Sequence, residues 1–264
     1  MKLTDYQPAA ARKILVYGAP KTGKTDLVGQ LAAIKKLWWL DLEDGVKTLL
    51  GSPRMTPAML ANIELFKIPD TQIFPIAART LLKVIKGNAV EICHAHGAAD
   101  CPVCKKDALP TSRICLKEFT NEDVLVIDSV SQLAASVMND IHKEVILKEQ
   151  FDKKPDWDDY ANQGRVMDRI FSIMQQAPFN VVAISHEQLV EMEDGKKKIV
   201  PIGGTSQFSK TFAKYFDDVV YCEMVNKNHK VGSSTGYSNN VITGSRTNKV
   251  LEKMDKPSLV ELFK

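Results

Sequence analysis

The residues with the clearest chemistry form a phosphate-loop pattern near the start of the chain. The pattern G-x-x-x-x-G-K-T is complete, and its members are Gly18, Ala19, Pro20, Lys21, Thr22, Gly23, Lys24 and Thr25. Its glycines let the backbone curl around a phosphate chain and direct N–H groups at the oxygens. We expect Lys24 to contact the β- and γ-phosphates and the Thr25 hydroxyl to bind Mg²⁺. The pattern therefore predicts a site for ATP and Mg²⁺.

A carboxylate far downstream is expected to complete this metal site. Residues 123–128 read Asp-Val-Leu-Val-Ile-Asp, an apolar strand that ends in an acid. We expect Asp128 to hold Mg²⁺ through water, together with Thr25. The next residue is Ser129, where many ATPases carry a glutamate that activates water. A general base must therefore come from elsewhere.

Glu43 is the best candidate for that base. It closes the segment Trp39-Leu40-Asp41-Leu42-Glu43, which follows the helix after the phosphate loop. This position should lie near the γ-phosphate, where a carboxylate can orient or deprotonate the attacking water. A solvated carboxylate at a strand end is the alternative interpretation.

Cysteine and histidine residues are concentrated between positions 93 and 115. Two pairs, each with two residues between its members, have the spacing that a tetrahedral zinc site uses. The predicted ligands of a structural Zn²⁺ are Cys93, His96, Cys101 and Cys104. His94 or Cys115 could replace one of them. A redox pair at Cys101 and Cys104, or unrelated core thiols, are the alternatives.

Strand and helix patterns alternate along the chain, which favours an α/β fold with a mostly parallel central sheet flanked by helices. The predicted strands are 13–17, 37–42, 124–128, 181–185 and 218–223, followed by late strands at 241–243 and 259–263. The predicted helices are 26–34, 73–85, 131–149 and 157–176. Asp194-Gly195 predicts a hairpin turn.

Residues 89–117 interrupt this alternation and are predicted to form a small zinc-bearing insertion within a single domain of residues 1–264. The fifth cysteine, Cys222, lies in an apolar segment and is predicted to be a packed thiol.

Composition sets limits on the partners. The net charge of +3 is too small to indicate a nucleic-acid partner, so contacts with DNA would have to come from local patches. No apolar run approaches the roughly 20 residues that span a bilayer, and no signal-peptide pattern opens the chain. We therefore expect a cytoplasmic protein without a membrane partner, whose cysteines are thiols or metal ligands rather than disulfides.

Taken together, the phosphate loop, the strand ending Asp41-x-Glu43 and the run Leu-Val-Ile-Asp-Ser-Val at 125–130 resemble the RecA-type recombinase ATPases. More narrowly, the short chain resembles the phage-encoded RecA-like single-strand annealing ATPases. The resemblance implies a RecA-like P-loop NTPase core and an ATPase stimulated by single-stranded DNA. It also implies head-to-tail assembly into a ring or filament, a single-strand-binding protein as a further partner, and the host cytoplasm as location.

The resemblance extends to His186, which follows strand 181–185 at the position of the family's γ-phosphate sensor. A histidine there can donate a hydrogen bond to a phosphate oxygen. The alternative is a polar strand terminus.

Two segments resemble the family's DNA-binding loops. The first, 187–206, carries the lysines Lys196, Lys197 and Lys198 and the run Gly203-Gly204-Thr205. The second, 148–163, carries Lys153, Lys154, Trp157 and Tyr160. Such residues can contact phosphates and stack on bases. Solvated lysines and aromatic packing anchors are the alternatives, and packing is favoured for Tyr160.

Family members also complete the active site with basic residues from a neighbouring subunit. Arg246 and Lys249 are the candidates here, and Tyr6-Gln7-Pro8-Ala9 resembles a peptide that links neighbours. Two other functions remain open. One is a ring-forming helicase-like motor or loader, and the other is a nucleotide-gated scaffold that binds DNA or protein with little turnover.

Overall fold

The computed structural model describes residues 11–71, 74–143, 148, 153–226, 228–246, 250–254 and 256–263. The peptide that resembles a linker between neighbours, residues 6–9, lies outside these ranges. Within them, no helix combines the length and the apolar character that crossing a bilayer requires.

In the part of the chain that the structure describes, twelve strands form three sheets. Their bounds are β1 Lys13–Gly18, β2 Lys36–Asp41, β3 Ile63–Lys67, β4 Val90–Cys93, β5 Thr111–Ile114, β6 Asp123–Asp128, β7 Asn180–Ser185, β8 Glu187–Glu191, β9 Lys197–Pro201, β10 Asp218–Val225, β11 Asn228–Gly232 and β12 Gly244–Ser245. The helices are α1 Lys24–Gly29, α2 Lys47–Leu50, α3 Pro57–Ala61, α4 Ile76–Val84, α5 Pro102–Lys106, α6 Val130–Ile141, α7 Trp157–Gln175 and α8 Ser206–Thr211.

The central sheet has the order β11-β10-β1-β7-β6-β2-β3, with β12 also paired to β10. Its six strands from β10 to β3 are parallel, whereas β11 and β12 run antiparallel to β10. The carboxyl ends of parallel strands meet at one edge of a sheet, which is where such folds bind ligands. This arrangement confirms the predicted α/β fold with a mostly parallel sheet, and it brings the ends of β1, β2, β6 and β7 together.

The sheet is covered on both faces, which explains why its inner strands are almost continuously apolar. Every residue of β1 and of β7 is buried. Alternate residues of β1 enter different cores: Leu15 packs with residues of α4, α6 and α7, and Ile14 packs with residues of α1. The two cores fix the position of the loop that follows β1.

The predicted helices are confirmed with shorter bounds in three cases. The helix predicted over 26–34 is an α-helix only as far as Gly29, where α1 ends, and the chain continues as a 3₁₀ helix over Gln30–Ala33. The second begins at Ile76, after Pro75 at its N-cap, and the third ends at Ile141 within the described residues. The fourth helix, α7, has the predicted bounds to within one residue.

The predictions of late strands at 241–243 and 259–263 are both wrong. Residues 259–263 form a 3₁₀ helix whose Leu259 and Leu262 are fully buried, so the apolar run reflects the burial of one helix face. In 241–243, Val241 makes only an isolated bridge with Ile199, and the short strand β12 follows it. A short apolar run does not distinguish a strand from a helical turn.

The segment predicted as an insertion forms a small sheet of its own, β4 with β5, and carries α5 between these strands. It is bonded to α4, because the Thr80 hydroxyl donates to the Gly97 carbonyl oxygen (3.2 Å) and accepts from the Ala99 N–H (3.2 Å). Gly97 has φ 66°, and a Cβ there would lie 2.3 Å from the Lys67 carbonyl oxygen at the end of β3. Only glycine fits this close approach.

Candidate functional site

The phosphate loop connects β1 to α1 at the carboxyl edge of the sheet. Gly18 ends β1 and is level with Cys222 on β10. It has φ 153°, and a Cβ there would lie 2.0 Å from the Cys222 carbonyl oxygen. The loop therefore turns directly over β10, which only glycine permits at this position. Cys222 is a buried free thiol, as predicted.

Lys24 begins α1 and folds back over the loop. Its Nζ donates to the carbonyl oxygens of Gly18 (2.9 Å) and Ala19 (2.7 Å). Burial lowers the pKa of Lys24, while the charges of Asp128 and Glu43 oppose that shift. The ammonium group is thus held inside the loop, where a lysine can meet phosphate oxygens.

Thr25 and Asp128 meet beside the loop, as the pattern predicts. The Thr25 hydroxyl donates to Asp128 Oδ2 at 3.2 Å. Asp128 is 3 % exposed, and burial raises its pKa to about 7, with the charges of Asp41 and Glu43 adding to the rise. A hydroxyl and a carboxylate oxygen are donors that Mg²⁺ prefers, and a cation would offset the buried negative charge. The residues present fit a Mg²⁺ site.

Glu43 is held by two donors from neighbouring strands. Its Oε1 accepts from the hydroxyl of Ser129, and its Oε2 lies 3.1 Å from His186 Nε2. Burial acts to raise the pKa of Glu43, but these hydrogen bonds and the charge of Lys24 outweigh it and leave the pKa below its ordinary value. Because a carboxylate oxygen only accepts, the proton of the imidazole lies on Nε2.

The strand order explains how these residues meet. β7 lies between β1 and β6, so His186 extends from the edge between the phosphate loop and Asp128. Ser129 caps α6 by accepting from the Gln132 N–H at 3.2 Å. Ser129, which stands where many ATPases have a glutamate, therefore positions Glu43, which follows the neighbouring strand β2.

These groups line one cavity of about 650 Å³. The predicted residues on its wall are Pro20, Lys21, Thr22, Gly23, Lys24, Thr25, Glu43, Asp128 and His186. No sequence pattern indicates Arg54, which also lines the cavity and whose Nη1 lies 3.3 Å from Asp26 Oδ2. Nor does a pattern indicate His229 of β11, which lines the cavity and whose Nδ1 is 3.0 Å from the Thr22 carbonyl oxygen. Both reach the wall through contacts between distant segments.

The segment after His186 forms the predicted hairpin. β8 and β9 pair antiparallel, and Gly195 in the turn has φ 76°. Lys196 and Lys197 are exposed and Lys198 is half-buried, but Lys196 Nζ lies 3.0 Å from Asp194 Oδ2. The free lysine charge at the turn is therefore smaller than the sequence indicates.

The second lysine- and aromatic-rich segment lies partly outside the described residues. Lys153 and Lys154 are exposed, and Trp157 opens α7 with 90 % of its surface exposed. Tyr160 is 43 % exposed, so neither aromatic is a buried packing anchor. The packing role predicted for Tyr160 is wrong.

The four predicted zinc ligands form one group, with all donor atoms within 4.8 Å of one another. The Sγ atoms of Cys93, Cys101 and Cys104 lie 3.9, 3.7 and 3.2 Å from His96 Nδ1. Zinc bond lengths and a tetrahedral angle require an S···N separation of about 3.5 Å, so the group fits Zn²⁺. The alternative ligands lie elsewhere: His94 Nε2 is 2.9 Å from Ser112 Oγ, and Cys115 Sγ contacts the Gly87 carbonyl oxygen.

Arg246, a candidate for a neighbour's site, bonds to Asp217 through Nη1 (2.9 Å). Asp217 precedes β10, so Arg246 lies at the sheet edge opposite its own phosphate loop. Lys249 lies outside the described residues.

Comparison with known proteins identifies a family for the chain. A family model described as an AAA domain matches residues 10–247. No curated protein matches the chain. Among solved structures, a KaiC-like protein of the hyperthermophilic archaeon Pyrococcus horikoshii OT3 is 13 % identical, with a TM-score of 0.41 over 85 % of this chain and 78 % of that one. Another, an ATPase domain, is 11 % identical, with a TM-score of 0.43 over 92 % of this chain and 80 % of that one. Because the family match covers residues 10–247 of 264, the chain belongs to the AAA domain family.

Proposed function

We propose that the chain is an ATPase that hydrolyses ATP to ADP and phosphate with Mg²⁺. One observation carries the proposal. The Glu43 carboxylate is fixed by Ser129 and His186 on the wall of the cavity that the phosphate loop also lines. A carboxylate held there can act on a water that attacks the γ-phosphate.

The residues divide the work. The loop N–H groups and Lys24 would bind the phosphates, and Thr25 and Asp128 would hold Mg²⁺, which neutralises charge on the phosphate oxygens. Because hydrogen bonds lower the pKa of Glu43, this carboxylate is ionised at neutral pH and can accept a hydrogen bond from water. Its two donors fix the direction of that bond, and orienting the nucleophile is much of the catalysis in phosphoryl transfer.

We further propose that His186 couples the nucleotide to the β8–β9 hairpin. The imidazole contacts Glu43, and the backbone of the same residue opens the hairpin. Its N–H donates to Ser131 Oγ (2.8 Å), and its carbonyl oxygen accepts from the Ile202 N–H (2.9 Å). If nucleotide binding changes the hydrogen bond between His186 and Glu43, His186 would move and shift both ends of the hairpin.

The polymer that we propose for this hairpin is single-stranded DNA, bound during recombination or annealing by a head-to-tail ring or filament. Exposed cations are supplied by Lys197 on the hairpin and by Lys153 and Lys154 before α7, and Trp157 at the start of α7 supplies an exposed ring. Cations contact phosphates, and an indole stacks on any base, which suits binding without sequence preference. The Cys₃His group would hold a structural Zn²⁺ that stabilises the small β4–β5 sheet.

Phosphate release from ATP tests the proposal. We expect Mg²⁺-dependent turnover by the wild-type chain, stimulation by single-stranded DNA, and no turnover by Lys24→Ala. Double-stranded DNA and RNA at equal nucleotide concentration are the controls for polymer class. Equal turnover by wild type and Lys24→Ala would refute the ATPase proposal. Turnover without any stimulation by single-stranded DNA would refute only the choice of polymer.

A further inference from the structure

β10 and β11 continue past the end of β1 and flank the phosphate loop. β1 ends at Gly18, which is level with Cys222 on β10, whereas β10 runs on to Val225. His229 on β11 is the register partner of Met224, two residues beyond Cys222. Register partners, and residues two apart on one strand, have side chains on the same face of a sheet, and both Cys222 and His229 line the cavity. The extension of this strand pair therefore carries His229 to the side of the loop.

The imidazole of His229 contacts the loop at two consecutive residues. Its Nδ1 lies 3.0 Å from the Thr22 carbonyl oxygen, although the two residues are 207 positions apart in the chain. A carbonyl oxygen only accepts, so Nδ1 carries a proton and donates this hydrogen bond. The ring also packs against Gly23, where a Cβ would lie 3.0 Å from Nδ1 and 3.3 Å from Cε1. His229 thus holds the peptide unit between Thr22 and Gly23.

The orientation of this peptide unit sets the direction of one N–H donor of the loop. The peptide is trans, and in a trans peptide the C=O and N–H bonds point in opposite directions. Because the Thr22 carbonyl oxygen faces His229, the Gly23 N–H faces away from it. The Thr22 hydroxyl is bonded within the loop, to the Ala19 carbonyl oxygen at 2.8 Å, whereas the Thr22 carbonyl is bonded to a distant strand. The N–H groups of such loops are the donors that bind phosphate.

We propose that His229 is a positioning residue, whose hydrogen bond to Thr22 aims the Gly23 N–H at the phosphates of the bound nucleotide. Gly23 has φ 87° and no Cβ to restrict its backbone, so the peptide before it can turn easily unless it is held. A donor that is already oriented binds more tightly than one that has to be ordered on binding. The inference rests on the phosphate site of the proposed function. It adds a side chain of β11 to the determinants of ATP affinity.

Binding of the non-hydrolysable ATP analogue AMP-PNP to the full chain, measured by calorimetry with Mg²⁺, tests this role. His229→Ala removes the donor, whereas His229→Asn keeps an N–H donor at about the position of Nδ1. We expect His229→Ala to weaken binding about three- to tenfold, the loss for one hydrogen bond, and His229→Asn to recover most of it. The matched control is Asn228→Ala, because Asn228 is exposed on the same strand and its side chain points to the other face. We expect this control to change the affinity less than about twofold.

Steady-state hydrolysis of ATP gives a readout that a general loss of structure would not give. We expect His229→Ala to raise KM about as much as it weakens binding and to leave kcat within about twofold, since Glu43 and the Mg²⁺ site are untouched. Thermal melting checks that each variant is folded. Unchanged affinity in a folded His229→Ala protein would overturn the proposal, as would equal weakening by His229→Ala and His229→Asn. A wild-type chain that binds AMP-PNP with the help of His229 but releases no phosphate from ATP would refute the proposed hydrolysis and leave this inference intact.

Discussion

Replacing Asp128 by asparagine should stabilise the chain in buffer free of Mg²⁺ and nucleotide, even though it removes a residue of the proposed metal site. Burial, with the charges of Asp41 and Glu43, raises the pKa of Asp128 to about 7 from an ordinary value of 3.8. The folded chain therefore favours protonated Asp128, and its stability falls as the pH rises through this window. Asparagine does not titrate and can still accept from the Thr25 hydroxyl.

The magnitude follows from the two pKa values. One pKa unit corresponds to about 1.4 kcal/mol, so ionised Asp128 costs roughly 4 kcal/mol at pH 8 and less than half of that at pH 5. The advantage of Asp128→Asn over wild type should therefore grow by about 3 kcal/mol between pH 5 and pH 8. Because the prediction compares the stability advantage at two pH values, any effect of the substitution that does not depend on pH cancels.

Urea unfolding followed by circular dichroism at both pH values measures this difference. The control is Asp107→Asn, which removes an exposed carboxylate after α5 and should change stability by less than about 0.5 kcal/mol at either pH. Adding Mg²⁺ with a nucleotide should make wild type more stable than Asp128→Asn, because only wild type has the Asp128 carboxylate to bind the cation. An advantage that does not grow from pH 5 to pH 8 would show that Asp128 is not desolvated in the way the structure indicates.

Two further outcomes are expected. The purified chain should contain one Zn²⁺ by native mass spectrometry. The double substitution of Cys101 and Cys104 by serine should abolish it and lower the Tm, whereas Cys115→Ser should retain it; metal retained by the double variant would refute the site. His186→Ala should still bind ATP but lose stimulation by single-stranded DNA, and His186→Gln, which keeps an N–H donor for Glu43, should recover part of it. Full stimulation of His186→Ala, measured as the ratio of turnover with and without DNA, would contradict the coupling.

The sequence predicts the inner part of the fold well, because those strands are buried on both faces and their apolar runs are unambiguous. β3 and β11 were not predicted, since edge strands such as Ile63–Lys67 mix exposed charges with apolar residues and lack that signal. The late apolar run at 259–263 gave the wrong element because its leucines are spaced for one face of a helix.

In the candidate site too, features with a local sequence signal are predicted and features that depend on distant segments are not. The phosphate loop, Asp128 and the zinc-spaced residues are local patterns, so their types and spacing were enough to predict them. Asp41 and His229 are placed by register and by the β10–β11 pairing, which join segments far apart in the chain. From the sequence, Ser129 indicates only that a glutamate is missing at this position. The structure shows its role, because its hydroxyl donates to Glu43. The narrower resemblance to phage-encoded annealing ATPases stays a prediction.

Single-turnover hydrolysis of radiolabelled ATP by wild type and Glu43→Gln tests the central claim most directly, with nucleotide affinity measured in parallel. Removing a general base costs about 10²–10⁴-fold in the chemical step. We therefore expect Glu43→Gln to bind Mg²⁺ and ATP as tightly as wild type and to hydrolyse ATP at least about a hundredfold more slowly. Hydrolysis at the wild-type rate by Glu43→Gln would contradict the assignment of Glu43 as the residue that acts on the attacking water.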